Sequence, residues 1–160
     1  MPDGSRLALL AQRGFSETGE CPTRQALSAA EIDEMREVVD FQSHTVYHPI
    51  LPRCTPQRAH DEVAASKRDL EERFGLPIYA LAYPNGDYSA REVAAAQAAG
   101  YACAVTLDFG FNSRTTPAFK LKRICINDDA SVDEAIVKAS GVWGLLKAAV
   151  RLTQSARAAR

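Results

Sequence analysis

The sequence predicts an α/β domain with a mainly parallel sheet, and three observations support that fold class. The chain has 160 residues, of which 46% are hydrophobic and 24% charged, as expected of one soluble globular domain. Its hydrophobic period switches repeatedly between two and about 3.6, which indicates that strands alternate with helices. Helix-length segments separate most of the strand-like runs, and such connections favour right-handed crossovers between parallel strands.

Charge and hydropathy exclude several classes of partner. Nineteen Lys and Arg residues against twenty Asp and Glu residues give a net charge of −1, so we expect no nucleic acid partner. No apolar run approaches the roughly 18 residues that cross a bilayer, so we expect no transmembrane segment. The first residues contain no apolar stretch typical of a signal peptide, which predicts a soluble chain. At 160 residues the chain is short for a closed α/β barrel, which usually has about 250.

Four helix starts are marked by capping residues. Ser28, Ser89 and Ser131 are each followed three residues later by Glu, the pattern of a capping box, so we expect helices to begin near residues 29, 90 and 132. Thr55 and Pro56 begin a longer helix, because Thr is a good N-cap and Pro suits the first helical position. The apolar side chains of this longer helix recur at helical spacing: Ala59, Val63, Leu70 and Phe74.

Short apolar runs between these helices predict the strands. We expect strands over residues 38–42, 78–83, 101–107 and 121–126. The predicted order is β-α-β-α-β-β-α, and residues 108–118 are expected to form a loop.

Two of the three histidines, His44 and His48, lie four residues apart directly after the first predicted strand. Side chains at this spacing on a helical turn can approach one metal ion. Pro49 biases His48 away from helical backbone and therefore favours a turn. Ligands of parallel α/β folds gather at the carboxyl ends of strands, where both histidines are expected. The spacing alone leaves two interpretations equally open, namely two ligands of a metal site or a pair of surface histidines.

A second candidate site is the turn from Pro84 to Asp87 at the end of the second predicted strand. Its residues, Pro-Asn-Gly-Asp, are typical of an ordinary turn between a strand and a helix. A tight turn at the carboxyl end of a strand also exposes backbone N–H groups that can stabilise an oxyanion. The sequence leaves both interpretations open, and Asp87 either orients a ligand or simply precedes the Ser89 cap.

The order and spacing of several short segments are similar to those of a known family. These segments lie between about Leu27 and Ile126 and are Ser43 to Leu51, Glu62 with Ser66-Lys67, Leu70, Gly75 to Pro77, Leu81 to Gly86, Ala99 to Tyr101, and Lys122 to Ile124. Together they resemble the polysaccharide deacetylases, the NodB-homology group that makes up carbohydrate esterase family four. The first segment matches the metal-binding histidine motif of the family, which favours the metal interpretation of His44 and His48.

The resemblance implies a fold, a reaction and a set of site residues. The fold is an irregular (β/α) barrel, here a partial one that lacks its first strands. The reaction is hydrolysis of N- or O-acetyl groups on a polysaccharide or oligosaccharide, with a divalent metal, commonly zinc, held by one Asp and two His. His44 and His48 correspond to the two histidine ligands, and the backbone N–H of Asn85 corresponds to the oxyanion donor. Substrate contacts are expected at three further positions: Tyr83, Pro84 and Arg123.

The chain departs from the family in its acidic motif. The family opens with a strand that ends in Thr-Phe-Asp-Asp-Gly and supplies the base and the third ligand. The nearest string here, Met1 to Gly4, has Pro where the base belongs. Ala82 and Asn85 replace the Arg and Tyr of the third family motif, and no His follows residue 60 to match the late Leu-x-His motif. A catalytic zinc site has three protein ligands, so two histidines leave it one short.

Three hypotheses follow from this departure. The first, which we favour, is that the chain is part of a deacetylase whose first strands are lost or supplied elsewhere. The chain on its own would then have impaired or absent activity. Exposed apolar edges then predict self-association or pairing with the missing N-terminal half. The second is an enzyme with a substitute acid, for which Asp87, Asp108 and Asp128 are candidates. The third is a non-catalytic carbohydrate-binding or interaction module built on a remnant of the fold.

The resemblance also leads to a predicted domain organisation. We expect an irregular N-terminal segment over 1–27, a polysaccharide deacetylase-like domain over 28–140 and a helical tail over 141–160. Without a signal peptide, the chain as given is expected in the cytoplasm, whereas the cell envelope is the alternative for a full-length family member.

Overall fold

Five α-helices and a three-stranded sheet make up the regular structure of the described residues. The computed structural model describes residues 1–19, 23–24, 26–142 and 144. The helices are α1 Asp3–Ala11, α2 Ala29–Met35, α3 Pro56–Phe74, α4 Ala90–Ala98 and α5 Val132–Ala139, and the strands are β1 Ala80–Ala82, β2 Cys103–Phe109 and β3 Leu121–Arg123. Short 3₁₀ turns lie at Leu51–Arg53, Pro84–Gly86 and Ala118–Lys120. No helix within the described ranges is both long enough and apolar enough to span a membrane.

The predicted helix starts are confirmed, and capping explains them. The side chains of Ser28 and Ser89 each accept a backbone N–H, and the Glu three residues later returns a bond to the cap. Ser131 and Thr55 likewise accept from the third residue of their helices. These bonds satisfy N–H groups that otherwise lack a partner in the first turn of a helix. Helix α3 ends at Gly75, whose φ of 62° is left-handed.

The predicted parallel sheet is confirmed. Strands β1 and β2 pair in parallel, and so do β2 and β3, in the order β1-β2-β3. A single parallel bridge from Ser43 to Leu81 adds an extended segment on the other side of β1. Four chain segments therefore run in one direction, and their carboxyl ends lie along the same edge of the sheet.

The predicted strand over residues 38–42 is wrong. The chain leaves α2 in a turn in which Val38 is 84% exposed. The side chain of Gln42 then takes the place of a strand backbone, because its Oε1 accepts the N–H groups of Tyr79 and Ala80 at 2.9 and 2.8 Å. A side-chain amide thus satisfies the backbone groups that a strand would otherwise pair.

Other predicted boundaries also need correction. Helix α1 lies inside the segment over 1–27 that was expected to be irregular, and β2 continues through residues 108 and 109 into the predicted loop. The strands expected over 78–83 and 121–126 are shorter than predicted, at three residues each. The tail over 141–160 lies outside the described residues except at positions 141, 142 and 144.

The hydrophobic core joins α3, α4 and the sheet in one cluster of buried side chains. Its fully buried members include Leu51, Val63, Leu81 and Ala104. Truncating a buried Leu to Ala typically costs about 2–5 kcal/mol. This core packs against the sheet whose strand ends carry the candidate site.

Candidate active site

The two predicted site motifs meet at the carboxyl edge of the sheet. His44 directly follows the Ser43 bridge, and the turn of residues 83–87 directly follows β1. The Nδ1 atom of His44 lies 2.7 Å from the carbonyl oxygen of Ala82, the last residue of β1. The expectation that both motifs lie at one edge of the sheet is thus confirmed by a direct contact.

The His44 contact fixes which ring nitrogen carries the proton. A carbonyl oxygen can only accept a hydrogen bond, so Nδ1 of His44 is the donor, and in the neutral ring the lone pair is on Nε2. Metal-binding histidines typically use this arrangement, in which one ring nitrogen donates to a carbonyl and the other binds the ion. His44 is therefore held by its Nδ1 contact in the way that is typical of a metal ligand.

His48 completes a pair of neighbouring imidazoles. The centroids of the His44 and His48 rings are 4.7 Å apart, with the ring planes 78° from parallel. Both side chains are exposed, so a solvated ion could reach them. Imidazole nitrogen is one of the donor types that bind zinc and similar divalent ions. Within the described residues, no three His, Cys, Asp or Glu side chains group together as a metal site.

The loop that carries the histidines has an unusual backbone. Thr45 and His48 both have positive φ values, 67° and 52°. Few residues other than glycine adopt this conformation, and for a β-branched residue such as Thr45 it is a genuine outlier. The N–H of His48 donates to Oγ1 of Thr45 at 3.1 Å, and Pro49 is fully buried. The turn favoured by Pro49 is confirmed.

A buried carboxylate on α3 holds the middle of this loop. Oε2 of Glu62 accepts the N–H groups of Val46 and Tyr47 at 3.0 and 2.9 Å. Glu62 is only 5% exposed. The sequence carries a signal for this contact, because Glu62 lies three residues after Ala59 and four before Ser66, on the buried face of α3.

The residue before His44 is fixed by a buried polar network. The hydroxyl groups of Ser43 and Ser66 lie 2.7 Å apart, and Ser66 in turn lies 3.2 Å from the hydroxyl of Tyr101. Tyr101 donates to the carbonyl oxygen of Val63 at 3.0 Å. All three hydroxyl-bearing residues are buried. The network ties the segment before His44 to helix α3 and to the segment that enters β2.

The side chains of Tyr83 and Pro84 lie in the core beneath the turn. Both are fully buried, and the Tyr83 hydroxyl donates to the carbonyl oxygen of Phe119 at 3.2 Å. The Tyr83 ring stacks on that of Tyr88, with centroids 4.9 Å apart. Burial raises the pKa of Tyr83 to about 12, and the neighbouring Tyr88 and Glu92 add to the rise. These side chains support the turn by packing, and the predicted contact of this turn with a substrate stays a prediction.

Asn85 presents a backbone N–H group at the turn. Its φ of 55° and the φ of 72° at Gly86 are both left-handed. The N–H groups of Gly86 and Asp87 bond back to Tyr83 and Pro84. Within the part of the chain that the structure describes, the Asn85 N–H has no hydrogen-bond acceptor. This group is therefore available to an external oxygen atom.

The remaining candidates lie in different surroundings. Nε of Arg123 donates to the carbonyl oxygen of Thr106 at 2.7 Å, which ties β3 to β2. Asp3 is buried in ion pairs with Arg6 and Arg58 at 2.8 and 2.9 Å and does not join the histidines. The three candidates for a substitute acid are exposed, and the structure groups none of them with the histidine pair: Asp87, Asp108 and Asp128.

Comparisons of sequence and of overall structure with known proteins indicate one family. A family model described as polysaccharide deacetylase matches residues 7–104, more than half of the chain. YxkH, a Bacillus subtilis protein named for the same family, is 30% identical over 103 residues. The Streptococcus pyogenes deacetylase PplD, solved in complex with acetate, is similar in structure with a TM-score of 0.67 and 29% identity. BC0361, a polysaccharide deacetylase from Bacillus cereus, has a TM-score of 0.65 and 27% identity.

The matches extend over most of this chain and over part of each relative. They cover 62% of this chain and 37% of YxkH, 73% of this chain and 52% of PplD, and 86% of this chain and 48% of BC0361. The chain thus spans about half the length of the solved relatives and less of YxkH. Its parallel strands and helices form part of the (β/α) fold of these deacetylases. This chain belongs to the polysaccharide deacetylase family.

Proposed function

We propose that this chain contributes the histidine ligands and an oxyanion donor to a metal-dependent hydrolase that removes N- or O-acetyl groups from a carbohydrate polymer. One observation carries the proposal: His44 donates through Nδ1 to the Ala82 carbonyl, which in a neutral ring leaves the lone pair on Nε2, and its ring lies against that of His48. For His44 this is the arrangement typical of a histidine that binds a metal ion.

The proposed division of labour follows from the positions of these groups. His44 and His48 would hold the divalent ion, most commonly zinc in this family, which when bound lowers the pKa of a water molecule and polarises a carbonyl. The Asn85 N–H, which lacks an acceptor within the described residues, would donate to the oxygen of an acetyl group. The turn that carries this donor and the histidine loop are joined at Ala82, so the two groups keep a fixed relationship.

The substrate class is inferred from the family and from one relative. PplD was solved with acetate, which is the product of acetyl hydrolysis. We therefore propose an acetylated polysaccharide or oligosaccharide as substrate. Of the substrate contacts expected from the sequence, Arg123 is partly exposed, whereas Tyr83 and Pro84 are fully buried and would act by supporting the turn that carries the Asn85 N–H.

We further propose that the chain alone releases acetate only at background rate. Acetyl hydrolysis needs a base beside the metal, and the described residues bring no carboxylate into a group with the two histidines. The test is acetate release from an acetylated chitooligosaccharide by the zinc-loaded chain, with His44→Ala as the control. Background release by both proteins is expected. Robust release that His44→Ala abolishes would contradict this point and favour a substitute acid.

The alternative is a non-catalytic module that binds carbohydrate on the same fold. It predicts binding of the oligosaccharide that persists in the presence of a chelator and in His48→Ala. Binding that is lost under both conditions supports the metal-dependent site. Isothermal titration with and without chelator separates the two functions.

A further inference from the structure

We propose that Glu62 is a positioning residue that sets the metal affinity of the histidine pair by holding the loop between His44 and His48. The inference rests on the proposed metal-binding function of these histidines. Glu62 itself lies on helix α3, outside the loop, and bonds to the two residues at its centre. It contacts neither imidazole in the hydrogen bonds of the structure, so its effect on a metal would be indirect.

The contact between Glu62 and the loop is strong for its kind. One carboxylate oxygen accepts two backbone N–H groups, those of Val46 and Tyr47, at 3.0 and 2.9 Å. Hydrogen bonds to an ionised carboxylate are roughly twice as strong as those between neutral groups. Glu62 is 5% exposed, so water competes little for these bonds. The other oxygen of the carboxylate lies 3.4 Å from the guanidinium of Arg58, one turn earlier on α3.

The backbone of the loop explains why it needs such a contact. Thr45 and His48, on either side of the two bonded N–H groups, both have left-handed φ values. Conformations of this kind are strained and persist only where surrounding contacts fix them. Without the carboxylate the loop would lose two hydrogen bonds and relax toward ordinary backbone. His48 would then move relative to His44, whose ring is fixed separately by Ala82.

The packing of α3 makes Glu62 a rigid anchor. Helix α3 extends over 19 residues, and the neighbouring Ala59, Val63 and Ser66 are buried in the core. Within the described part of the chain, Glu62 is the side chain that accepts the N–H groups of Val46 and Tyr47. Val46 and Tyr47 are themselves 41% and 44% exposed and do not belong to the hydrophobic core.

The test compares Glu62→Ala, Glu62→Gln and the matched control Asp61→Asn. Asp61 is the preceding residue on α3, but it is exposed and bonds to Gln57 rather than to the loop. Cobalt(II) is titrated into each purified chain and binding is followed by the visible absorption of the ion. Removing a group that orients metal ligands typically costs about 10–100-fold in affinity. We expect a loss of this size in Glu62→Ala, a smaller loss in Glu62→Gln, whose amide oxygen can still accept the N–H bonds, and an unchanged affinity in Asp61→Asn.

A second measurement separates the positioning role from the metal-binding function. Amide hydrogen exchange of Val46 and Tyr47, without metal, should accelerate in Glu62→Ala while exchange in the core strands is unchanged. Equal cobalt affinity in wild type and Glu62→Ala would overturn the positioning role while the metal site stands. Absence of cobalt binding in wild type would overturn the metal function and the positioning role toward metal together, and exchange would then report only whether Glu62 holds the loop.

Discussion

Nδ1 of His44 lies 2.7 Å from the carbonyl oxygen of Ala82, and this bond joins the His44 side chain to the end of strand β1. The acceptor is a backbone atom of the sheet, so the imidazole is oriented by a strand. The same strand end leads into the turn that exposes the Asn85 N–H. The proposed ligand and the proposed oxyanion donor therefore share one support.

The left-handed backbone at Asn85 predicts that two substitutions at this position differ in stability. Asn tolerates a φ of 55°. For Ala this backbone conformation costs about 1–2 kcal/mol, whereas Gly, which has no Cβ, adopts it without that cost. We expect Asn85→Ala to lower the free energy of unfolding by about 1 kcal/mol and Asn85→Gly to leave it nearly unchanged. Urea unfolding of the two variants measures the difference. Equal stability of both variants would show that the turn does not impose this conformation.

The close approach of Gly86 to β2 predicts a much larger loss. A Cβ added at Gly86 would lie 2.7 Å from both the backbone nitrogen and the Cβ of Leu107, and the φ is 72°. We expect Gly86→Ala to lower the free energy of unfolding by about 3 kcal/mol or more, through overpacking and strain together. Gly75→Ala is the control, since its φ of 62° is similar but no atom lies within 4 Å. A loss in Gly75→Ala as large as that in Gly86→Ala would contradict the role of the contact with Leu107.

The buried hydroxyl network predicts that removing the Tyr101 hydroxyl lowers the stability of the fold. Tyr101→Phe removes the donor to the Val63 carbonyl and the contact with Ser66. Because the groups left behind are buried, we expect the free energy of unfolding to fall by about 1–2 kcal/mol. Tyr79→Phe serves as control, because the Tyr79 hydroxyl bonds to Asp40 at the exposed surface. Chemical denaturation should show a clear loss only in the first variant, and equal losses in both would argue against the network.

The lowered pKa of Glu92 predicts that the protein loses stability in acid. Burial raises the pKa of this carboxyl, but hydrogen bonds from Ser89 and Arg91 outweigh burial and bring its pKa below the ordinary 4.5. The unfolded chain therefore binds the proton first as pH falls. The stabilisation from Glu92 is complete above pH 4.5 and is lost as pH falls through the pKa of the folded state.

The measurement for Glu92 is thermal or urea unfolding between about pH 6 and about pH 3. Stability of the wild type should decline more steeply over this window than that of Glu92→Gln, which cannot titrate at this position. The comparison between the two proteins removes the contribution of the other carboxyl groups. Parallel declines would show that the pKa of Glu92 does not differ between the folded and unfolded states.

The helices were predictable because their starts depend on local contacts. Ser28 and Ser89 form reciprocal bonds with a Glu three residues away, so the signal and the structure lie within one turn of helix. Helix α1 had no such signal: Pro2 precedes it, and no side chain caps it. Its Asp3 is instead fixed by the ion pair with Arg58 of α3, a contact that a local pattern does not reveal.

The same contrast between local contacts and contacts distant in sequence applies to the strands and the site. The rule that ligands lie at the carboxyl ends of parallel strands correctly placed His44 beside the end of β1. The bonds of the Gln42 side chain to Tyr79 and Ala80, and those of Glu62 to the loop, depend on partners 15 to 38 residues away. Residue types and spacing carry little information about such pairs, and the backbone strain at Thr45 has no sequence signature of its own.

The most direct test of the account is a competitive zinc titration of the wild-type chain, His44→Ala and His48→Ala against a chromophoric chelator. We expect the wild type to bind one ion per chain. Each substitution should abolish that binding while the unfolding midpoint is retained, because both side chains are exposed. Zinc affinity that is the same in all three proteins, or absent from the wild type, would contradict the assignment of His44 and His48 as the metal ligands of this deacetylase domain.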